Sequence, residues 1–144
     1  MTDEKLHPND DRSIKKNIMF FDLPISIEIL KGETKYSKKL DGTVWSRVMR
    51  CDYGYFDNIV SNDGEFLDCY IVNDGISNNE YVYSVDQYTI NEEGHEFDEV
   101  KIIVGVNSIL EAKSVYLRHC QSPECMGDVK TIHINDIRKL HVES

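Results

Sequence analysis

The sequence lacks any long hydrophobic run and any excess of positive charge. The longest apolar run near its start, Ile18 to Phe21, is four residues long, whereas a membrane-spanning helix needs about 20. Its 16 lysines and arginines are outnumbered by 26 acids, and the net charge of −10 disfavours a nucleic-acid or anionic-membrane surface. No secretory signal pattern is present either. These absences predict a cytoplasmic protein that binds neither nucleic acid nor membrane.

The four cysteines fit the same compartment as reduced thiols. Cys51 and Cys69 lie in strand-like contexts and are interpreted as small core residues. A zinc site is a disfavoured alternative, because the Cys-x4-Cys spacing is loose and the histidines do not follow it in a zinc-ligand pattern. Its ligands would be His119, Cys120, Cys125 and His133.

The chain is long enough for one folded domain. It has 144 residues, of which 40% are hydrophobic and 10% aromatic, so a globular protein is expected rather than a disordered one. Residues 1–22 show no steady hydrophobic period and are interpreted as a mobile or peripheral arm. Residues 23–144 then form the domain.

Strand patterns come first along this domain and helix patterns last. Strands are predicted over 25–30, 34–38, 44–50, 66–72, 81–90, 100–106 and 130–134. Ser108 with Glu111 three residues later forms a capping box for one helix, and a short helix is predicted near the end. This order predicts the α+β class.

The segment from Asp52 to Asn73 contains the most unusual acid of the chain. Asp68 interrupts an apolar strand and shares a face with Tyr70, and a carboxylate there is costly unless it meets a cation or several donors. Asp63 and Glu65 lie just upstream, and crowded oxygen ligands favour Mg²⁺, Mn²⁺ or Ca²⁺. Alternatively, Asp63 and Gly64 form a simple hairpin turn with Glu65 as a solvated flank.

Further anomalous acids and bases lie on or beside the other strands. The acids are Asp86, Asp98 and Glu99; the basic residues are Lys35, Arg47 and Lys101, and Tyr53 adds a polar group. Carboxylates that hold Mg²⁺, with cations that hold phosphate oxygens, are the parts needed to hydrolyse a phosphoanhydride. Each of these side chains also has an ordinary structural or surface interpretation.

Six landmarks occur in an order that resembles a known family. They are D-Y-G-Y at 52–55, D-G-x-x-x-D at 63–68, V-D-Q at 85–87, F-D-E-x-K at 97–101, E-A-x-x-x-Y-L at 111–117, and a terminal helix from 135. The order resembles the soluble inorganic pyrophosphatases, and more closely the short pyrophosphatase-like domain of bacteriophages and prophages. The resemblance covers roughly residues 25–142. It implies a small OB-like twisted β-barrel with one or two helices packed outside.

The resemblance also implies a site, a cofactor and a substrate. Metal ligands would be Asp63, Asp68, Asp86 and Glu99, with Asp98 and Glu28 as further candidates. Phosphate would be bound by Lys35, Arg47, Tyr53 and Lys101. Mg²⁺ is the implied cofactor, with Mn²⁺ as a substitute. The substrate would be pyrophosphate or another small phosphoanhydride, and homo-oligomers are usual in the family.

Two departures from the family pattern leave the activity open. Glu65 replaces the middle acid of D-G-D, which is thought to help activate water, so the catalytic set would be Glu65, Asp63 and Asp68. Ser37 replaces another acid, and the family's C-terminal Tyr-Lys pair is not placed. The first hypothesis is therefore a Mg²⁺-dependent pyrophosphatase in a host cytosol. The alternatives are a weak or inactive metal-, phosphate- or nucleotide-binding relative, and a scaffold that binds a host protein.

Overall fold

A computed structural model describes residues 6–38, 42–61, 64–76 and 79–139 of the chain. Nine strands alternate along it: β1 Lys16–Phe20, β2 Leu23–Ile29, β3 Thr34–Lys38, β4 Val44–Val48, β5 Asp52–Val60, β6 Phe66–Ile71, β7 Tyr81–Asn91, β8 Gly94–Val104 and β9 Met126–His133. The helices are α1 Ile109–Leu117 and α2 Ile134–Lys139, with single 3₁₀ turns at Asn73–Gly75 and Pro123–Cys125. The predicted α+β class is confirmed.

Seven strands form one sheet in the order β1-β2-β5-β6-β8-β7-β9, while β3 and β4 form a separate two-stranded sheet. All pairs are antiparallel except β6 with β8, where Cys69 lies beside Ile102. Between the described residues no ladder joins β1 to β9, so the predicted OB-like barrel is an open sheet. Neither helix is long and apolar enough to cross a membrane, within the part of the chain that the structure describes.

The sheet separates two hydrophobic clusters, because side chains alternate between its faces. On one face Cys69 and Ile102 pack with Ile134 and Ile137 of α2. On the other face Tyr70 and its neighbour on β8, Ile103, pack with Ala112, Val115 and Tyr116 of α1. The candidate site lies on the same face as this second cluster, on the same strands.

The D-Y-G-Y landmark has a packing reason at Gly54. This residue lies opposite Ile27 where β5 crosses β2, and a Cβ atom added to it would lie 2.0 Å from the carbonyl oxygen of Ser26. That distance is far below van der Waals contact, so a side chain would push the two strands apart. Gly64 is required for a different reason. It lies in the turn between β5 and β6 with a φ of +85°, a conformation that glycine adopts without steric cost.

The N-terminal segment is joined to the sheet earlier than the sequence suggested. Lys16–Phe20 pairs with β2 as an edge strand, with Phe20 opposite Leu23, and Phe20 is buried. The domain boundary expected at residue 23 therefore falls between two paired strands. Before β1, Asp10 is buried and Arg12 half-buried, so this part of the expected arm also packs against the domain.

Helix α1 begins as its sequence predicts. The Ser108 hydroxyl accepts a hydrogen bond from the backbone N–H of Glu111 at 3.1 Å, which satisfies one of the unpaired donors of the first turn. Its buried residues are Ala112, Val115 and Tyr116, which cover the second core cluster. This packing brings the Tyr116 hydroxyl to the candidate site.

Candidate active site

Three strands of the sheet direct Tyr53, Asp68 and Lys101 to the same face. Tyr53 lies opposite Tyr70 in the β5–β6 ladder, and Asp68 is two residues before Tyr70. Lys101 is likewise two residues before Ile103, the neighbour of Tyr70 on β8. Since residues two apart share a face, the three side chains converge next to the second core cluster. Asp68 thus shares its face with Tyr70, as the sequence pattern predicts.

Lys101 is the centre of this group. Its ammonium donates to the Tyr53 hydroxyl at 2.6 Å and to the Asp68 carboxylate at 3.0 Å, and it forms a close ion pair with Glu99. Burial of Lys101 acts to lower its pKa, but the oxygens of Tyr53, Asp68 and Glu99 outweigh that and hold the pKa well above its usual range. Lys101 is therefore a fixed positive charge, 6% exposed.

The two oxygen partners on β5 and β6 respond to this charge differently. Burial would raise the pKa of Asp68, but the neighbouring Lys101 ammonium and the hydrogen bonds lower it below its ordinary value, so Asp68 is ionised. Burial raises the pKa of Tyr53 well above that of a free phenol despite Lys101, so Tyr53 is a neutral hydroxyl. A buried charge pair of this kind is stable only while all partners are present.

Lys35 adds a second cation from the β3–β4 hairpin. Its ammonium lies 4.8 Å from the centre of the Tyr53 ring and donates to the Ser37 hydroxyl at 2.9 Å. Burial, together with the charges of Lys101 and Arg12, lowers the pKa of Lys35 to about 7. Ser37 cannot offset this, because a hydroxyl carries no charge. The residue that departs from the family pattern is thus the direct partner of a candidate phosphate-binding lysine.

Arg47 lies directly opposite Lys35 in the β3–β4 ladder and so shares its face. Its Nη1 donates to the carbonyl oxygen of Arg118 at 3.3 Å, and its guanidinium lies 5.4 Å from the centre of the Trp45 ring. Its Nε atom is buried and has no hydrogen-bond partner among the described residues. A buried, unpaired donor of a charged group is costly, and an anion beside Arg47 would satisfy it.

A cleft of about 920 Å³ opens over the Lys101 group and Lys35, and Arg47 is not part of its lining. Of the candidate site residues, it is lined by Lys35, Tyr53, Asp68, Asp98, Glu99 and Lys101. Arg12, Tyr36, Trp45, Gln87, Tyr88, Glu92 and Tyr116 also line it. The cleft therefore combines basic side chains with carboxylates, as binding of an anion together with a cation requires.

Sequence reasoning missed a hydrogen-bond chain in the wall of the cleft. The Tyr116 hydroxyl donates to the side-chain oxygen of Gln87 at 2.8 Å, and the Gln87 amide donates to Asp98 at 2.9 Å. This chain connects helix α1 to the exposed carboxylate of Asp98 on β8. Gln87 belongs to the V-D-Q landmark of the sequence. Its hydrogen-bond partners, Tyr116 and Asp98, become apparent only from the packing of α1 on the sheet.

Among the described residues, the remaining candidate acids do not share the position of Asp68 and Glu99 beside the Lys101 ammonium. Asp86 lies opposite Val100 in the ladder, one position from the Val85–Lys101 pair, so it is on the other face of the sheet. Glu28 on β2 is half-buried; burial raises its pKa, and Arg12, Lys35 and Lys101 are close enough to oppose that rise. Glu65 is exposed in the β5–β6 turn, and Asp63 lies outside the described residues.

The carboxylates that line the cleft meet only part of what a divalent cation requires. Asp68, Glu99 and Asp98 offer the hard oxygen ligands that Mg²⁺ requires, and they line one cleft. Among the described residues, however, no three His, Cys, Asp or Glu side chains are gathered closely enough to hold an ion. Asp68 and Glu99 are each engaged by Lys101. Their chemistry fits the cation, and a further ligand would have to complete the set. Asp63, which precedes Asp68 in the sequence, is the candidate for it.

The alternative zinc ligands are used for other contacts. The His119 ring accepts from the backbone N–H of Arg50 at 3.0 Å, and its Nδ1 lies 2.7 Å from the carbonyl oxygen of Val115. Burial raises the pKa of the Cys120 and Cys125 thiols, which disfavours the thiolates that zinc requires. All four cysteines are free thiols.

No curated protein matches the sequence. The fold is similar to that of an inorganic pyrophosphatase from Coxiella burnetii, with 19% identity, a TM-score of 0.40, and coverage of 81% of this chain and 89% of that one. The family model described as Inorganic Pyrophosphatase matches residues 7–142. That match spans nearly the whole sequence, and the chain belongs to the inorganic pyrophosphatase family.

Proposed function

We propose that this protein is a Mg²⁺-dependent hydrolase of inorganic pyrophosphate or of a closely related small phosphoanhydride. The observation that carries the proposal is the Lys101 cluster, in which one buried ammonium contacts Tyr53, Asp68 and Glu99 at the base of a cleft. The substrate class is inferred from the family to which the chain belongs. The Lys101 cluster places positively and negatively charged groups where that substrate would bind.

The cations and the phenol would bind the phosphates. Lys101 is held by three oxygens, and its ammonium lies 5.2 Å from the centre of the Tyr53 ring. The Lys35 ammonium lies 4.8 Å from the same ring centre, and both lysines line the cleft. The negative charge of a phosphate between these lysines would favour the protonated form of Lys35. A phosphate oxygen that extends to Arg47 would accept a hydrogen bond from its buried, unpaired Nε. Electrostatic positioning of this kind accounts for most of the catalysis in phosphoryl transfer.

The carboxylates would hold the cation. We propose Asp68 and Glu99 as ligands, with Asp63, Asp98 and Glu28 nearby in sequence or space, and Asp86 only if β7 changes its local register. Mg²⁺, or Mn²⁺ in its place, supplies positive charge to the phosphate oxygens when it is bound. Glu65 is the proposed general base for water, one methylene longer than the family's aspartate.

A catalytically weak relative that binds metal and phosphate, or a nucleotide, is the second candidate. It is favoured by the two ion pairs of Lys101, because a carboxylate that is already neutralised attracts a metal less strongly. The replacement of an acid by Ser37 and of an aspartate by Glu65 favours it as well. Under either candidate we also propose a phage or prophage origin and a location in the host cytosol. We propose further that the protein assembles into homo-oligomers. The order of the sequence landmarks, which resembles the phage-type domain, supports these proposals.

The test is release of phosphate from pyrophosphate with and without Mg²⁺. Wild type should release phosphate only with Mg²⁺, and Asp68→Asn should lower the rate by at least about a hundredfold, since a ligand and ion-pair partner is lost. Glu96→Gln is the matched control, because it removes an exposed carboxylate from β8 that lies outside the cleft lining. No release by wild type, together with Mg²⁺-dependent binding of imidodiphosphate, would support the second candidate instead.

A further inference from the structure

The β3–β4 hairpin carries Lys35, Arg47 and Trp45, yet it is not part of the seven-stranded sheet. No backbone ladder joins it to that sheet within the described residues. An isolated two-stranded hairpin is only marginally stable, so contacts with other segments stabilise it over the cleft. One of them is the hydrogen bond from Arg47 to the carbonyl oxygen of Arg118. The position of Lys35 therefore depends on what those contacts are.

The N-terminal segment supplies them on the cleft side of the hairpin. The Arg12 guanidinium uses Nη2 to donate to the carbonyl oxygen of Tyr36 at 2.7 Å, which is the residue directly after Lys35. Its Nε donates to the Asp10 carboxylate at 2.7 Å, and Asp10 is 5% exposed. The His7 ring stacks on the Tyr36 ring, with centres 4.5 Å apart and planes 4° apart.

We propose that Arg12 is a positioning residue that fixes the β3–β4 hairpin, and with it Lys35, over the cleft. Asp10 orients the guanidinium, the guanidinium holds the Tyr36 carbonyl, and the backbone passes this constraint to Lys35. A planar guanidinium can make both bonds at once in a fixed geometry, which a lysine ammonium does poorly. The effect on substrate rests on the proposed function, but the effect on the hairpin does not.

Trp45 makes the hairpin directly observable. It is the single tryptophan of the sequence, lies on β4, is half-buried and lines the cleft. Its fluorescence emission and its quenching by acrylamide therefore report the position of the hairpin without any assay of activity. A loosened hairpin exposes Trp45 to the quencher while the core, on the other strands, stays folded.

The experiment compares Arg12→Ala with Arg50→Ala. Arg50 is an exposed arginine just after β4, and its side chain makes no hydrogen bond or ion pair with other described residues. Arg12→Ala should increase acrylamide quenching of Trp45, and millimolar guanidinium should reverse the increase by occupying the vacated site. Arg50→Ala should do neither. Unchanged quenching in Arg12→Ala would overturn the proposal.

Binding of imidodiphosphate with Mg²⁺ separates this inference from the proposed function. We expect Arg12→Ala to weaken binding about tenfold, the loss typical of one misplaced charged hydrogen bond, with recovery in guanidinium. Wild type that binds nothing would contradict the proposed function, whereas the quenching result would still decide the role of Arg12. If Arg12→Ala does not fold, Asp10→Asn is measured instead, because it weakens the contact that orients Arg12. Asp10→Asn should increase acrylamide quenching of Trp45, and the absence of an increase would reject the proposal.

Discussion

The Lys101 ammonium lies 3.0 Å from the Asp68 carboxylate and is also paired with Glu99, so one buried lysine is the shared counter-ion of two acids from different strands. The parallel pairing of β6 with β8 creates this arrangement. Any cation that binds Asp68 and Glu99 must compete with Lys101 or share them with it. This competition determines how the protein responds to metal, to substitution and to pH.

Removal of Lys101 should destabilise the protein strongly. Lys101→Met leaves Asp68 and Glu99 facing each other without a counter-ion, and we expect the free energy of unfolding to fall by about 3 to 5 kcal/mol. Chemical denaturation measures this, with Lys130→Met as the control, because Lys130 is exposed on β9. Mg²⁺ should restore more stability to Lys101→Met than to wild type, and an equal response would show that the two acids do not bind the cation.

Mg²⁺ should raise the melting temperature of wild type. The net charge of −10 and the acids of the cleft both favour cation binding, and a ligand at 100 times its Kd stabilises the folded state by about 2.7 kcal/mol. Calorimetry over a millimolar Mg²⁺ series measures the shift, against NaCl of equal ionic strength. Asp68→Asn should reduce it. A flat response in wild type would argue against a metal site.

The pKa of Lys35 predicts a specific pH dependence of stability. This pKa is lowered to about 7 from 10.5, so between these values the unfolded chain binds a proton that the folded protein does not. The unfolding free energy that Lys35 contributes should therefore rise with pH above about 7, with uptake of up to about one proton on unfolding. Lys35→Met should remove this rise.

The control for that measurement is Lys38→Met, on the same strand, where Lys38 is exposed. Denaturation curves between pH 6 and pH 9 (roughly the window that a pKa near 7 sets) are compared for wild type and both variants. If wild type and Lys35→Met have parallel pH profiles, Lys35 remains charged in the folded protein. The low pKa would then be refuted.

Shortening Glu65 should increase turnover. Glu65→Asp places the carboxylate where the family has it, and a correction of about 1 Å at a group that activates water changes rates by up to about a hundredfold. The measurement is kcat for pyrophosphate with Mg²⁺, and Glu65→Gln, which cannot accept a proton, should have the lowest rate. Equal kcat values for all three proteins would exclude Glu65 as the base.

Local pattern was sufficient to predict most elements of this fold. The period-two alternation predicted β3 with its observed bounds, and the capping box predicted the start of α1, because both signals depend only on neighbouring residues. The anomalous Asp68 also pointed to a cation, since an ionised acid in an apolar strand needs one. The cation found beside it is Lys101, which the sequence could list only as a phosphate-binding candidate.

What the sequence determined by itself is the set of charged groups, the alternation of side chains along each strand and the family to which the chain belongs. Tertiary structure alone decided which of them meet. The register of β7 against β8 places Asp86 on the face opposite Lys101, although both residues belong to the ordered sequence landmarks. The parallel β6–β8 ladder pairs residues 33 positions apart in the sequence. The hydrogen bonds from Tyr116 through Gln87 to Asp98 join residues 18 positions apart, and Arg12 contacts Tyr36 across 24 positions. Such contacts depend on register and packing across the sheet, which no local pattern contains.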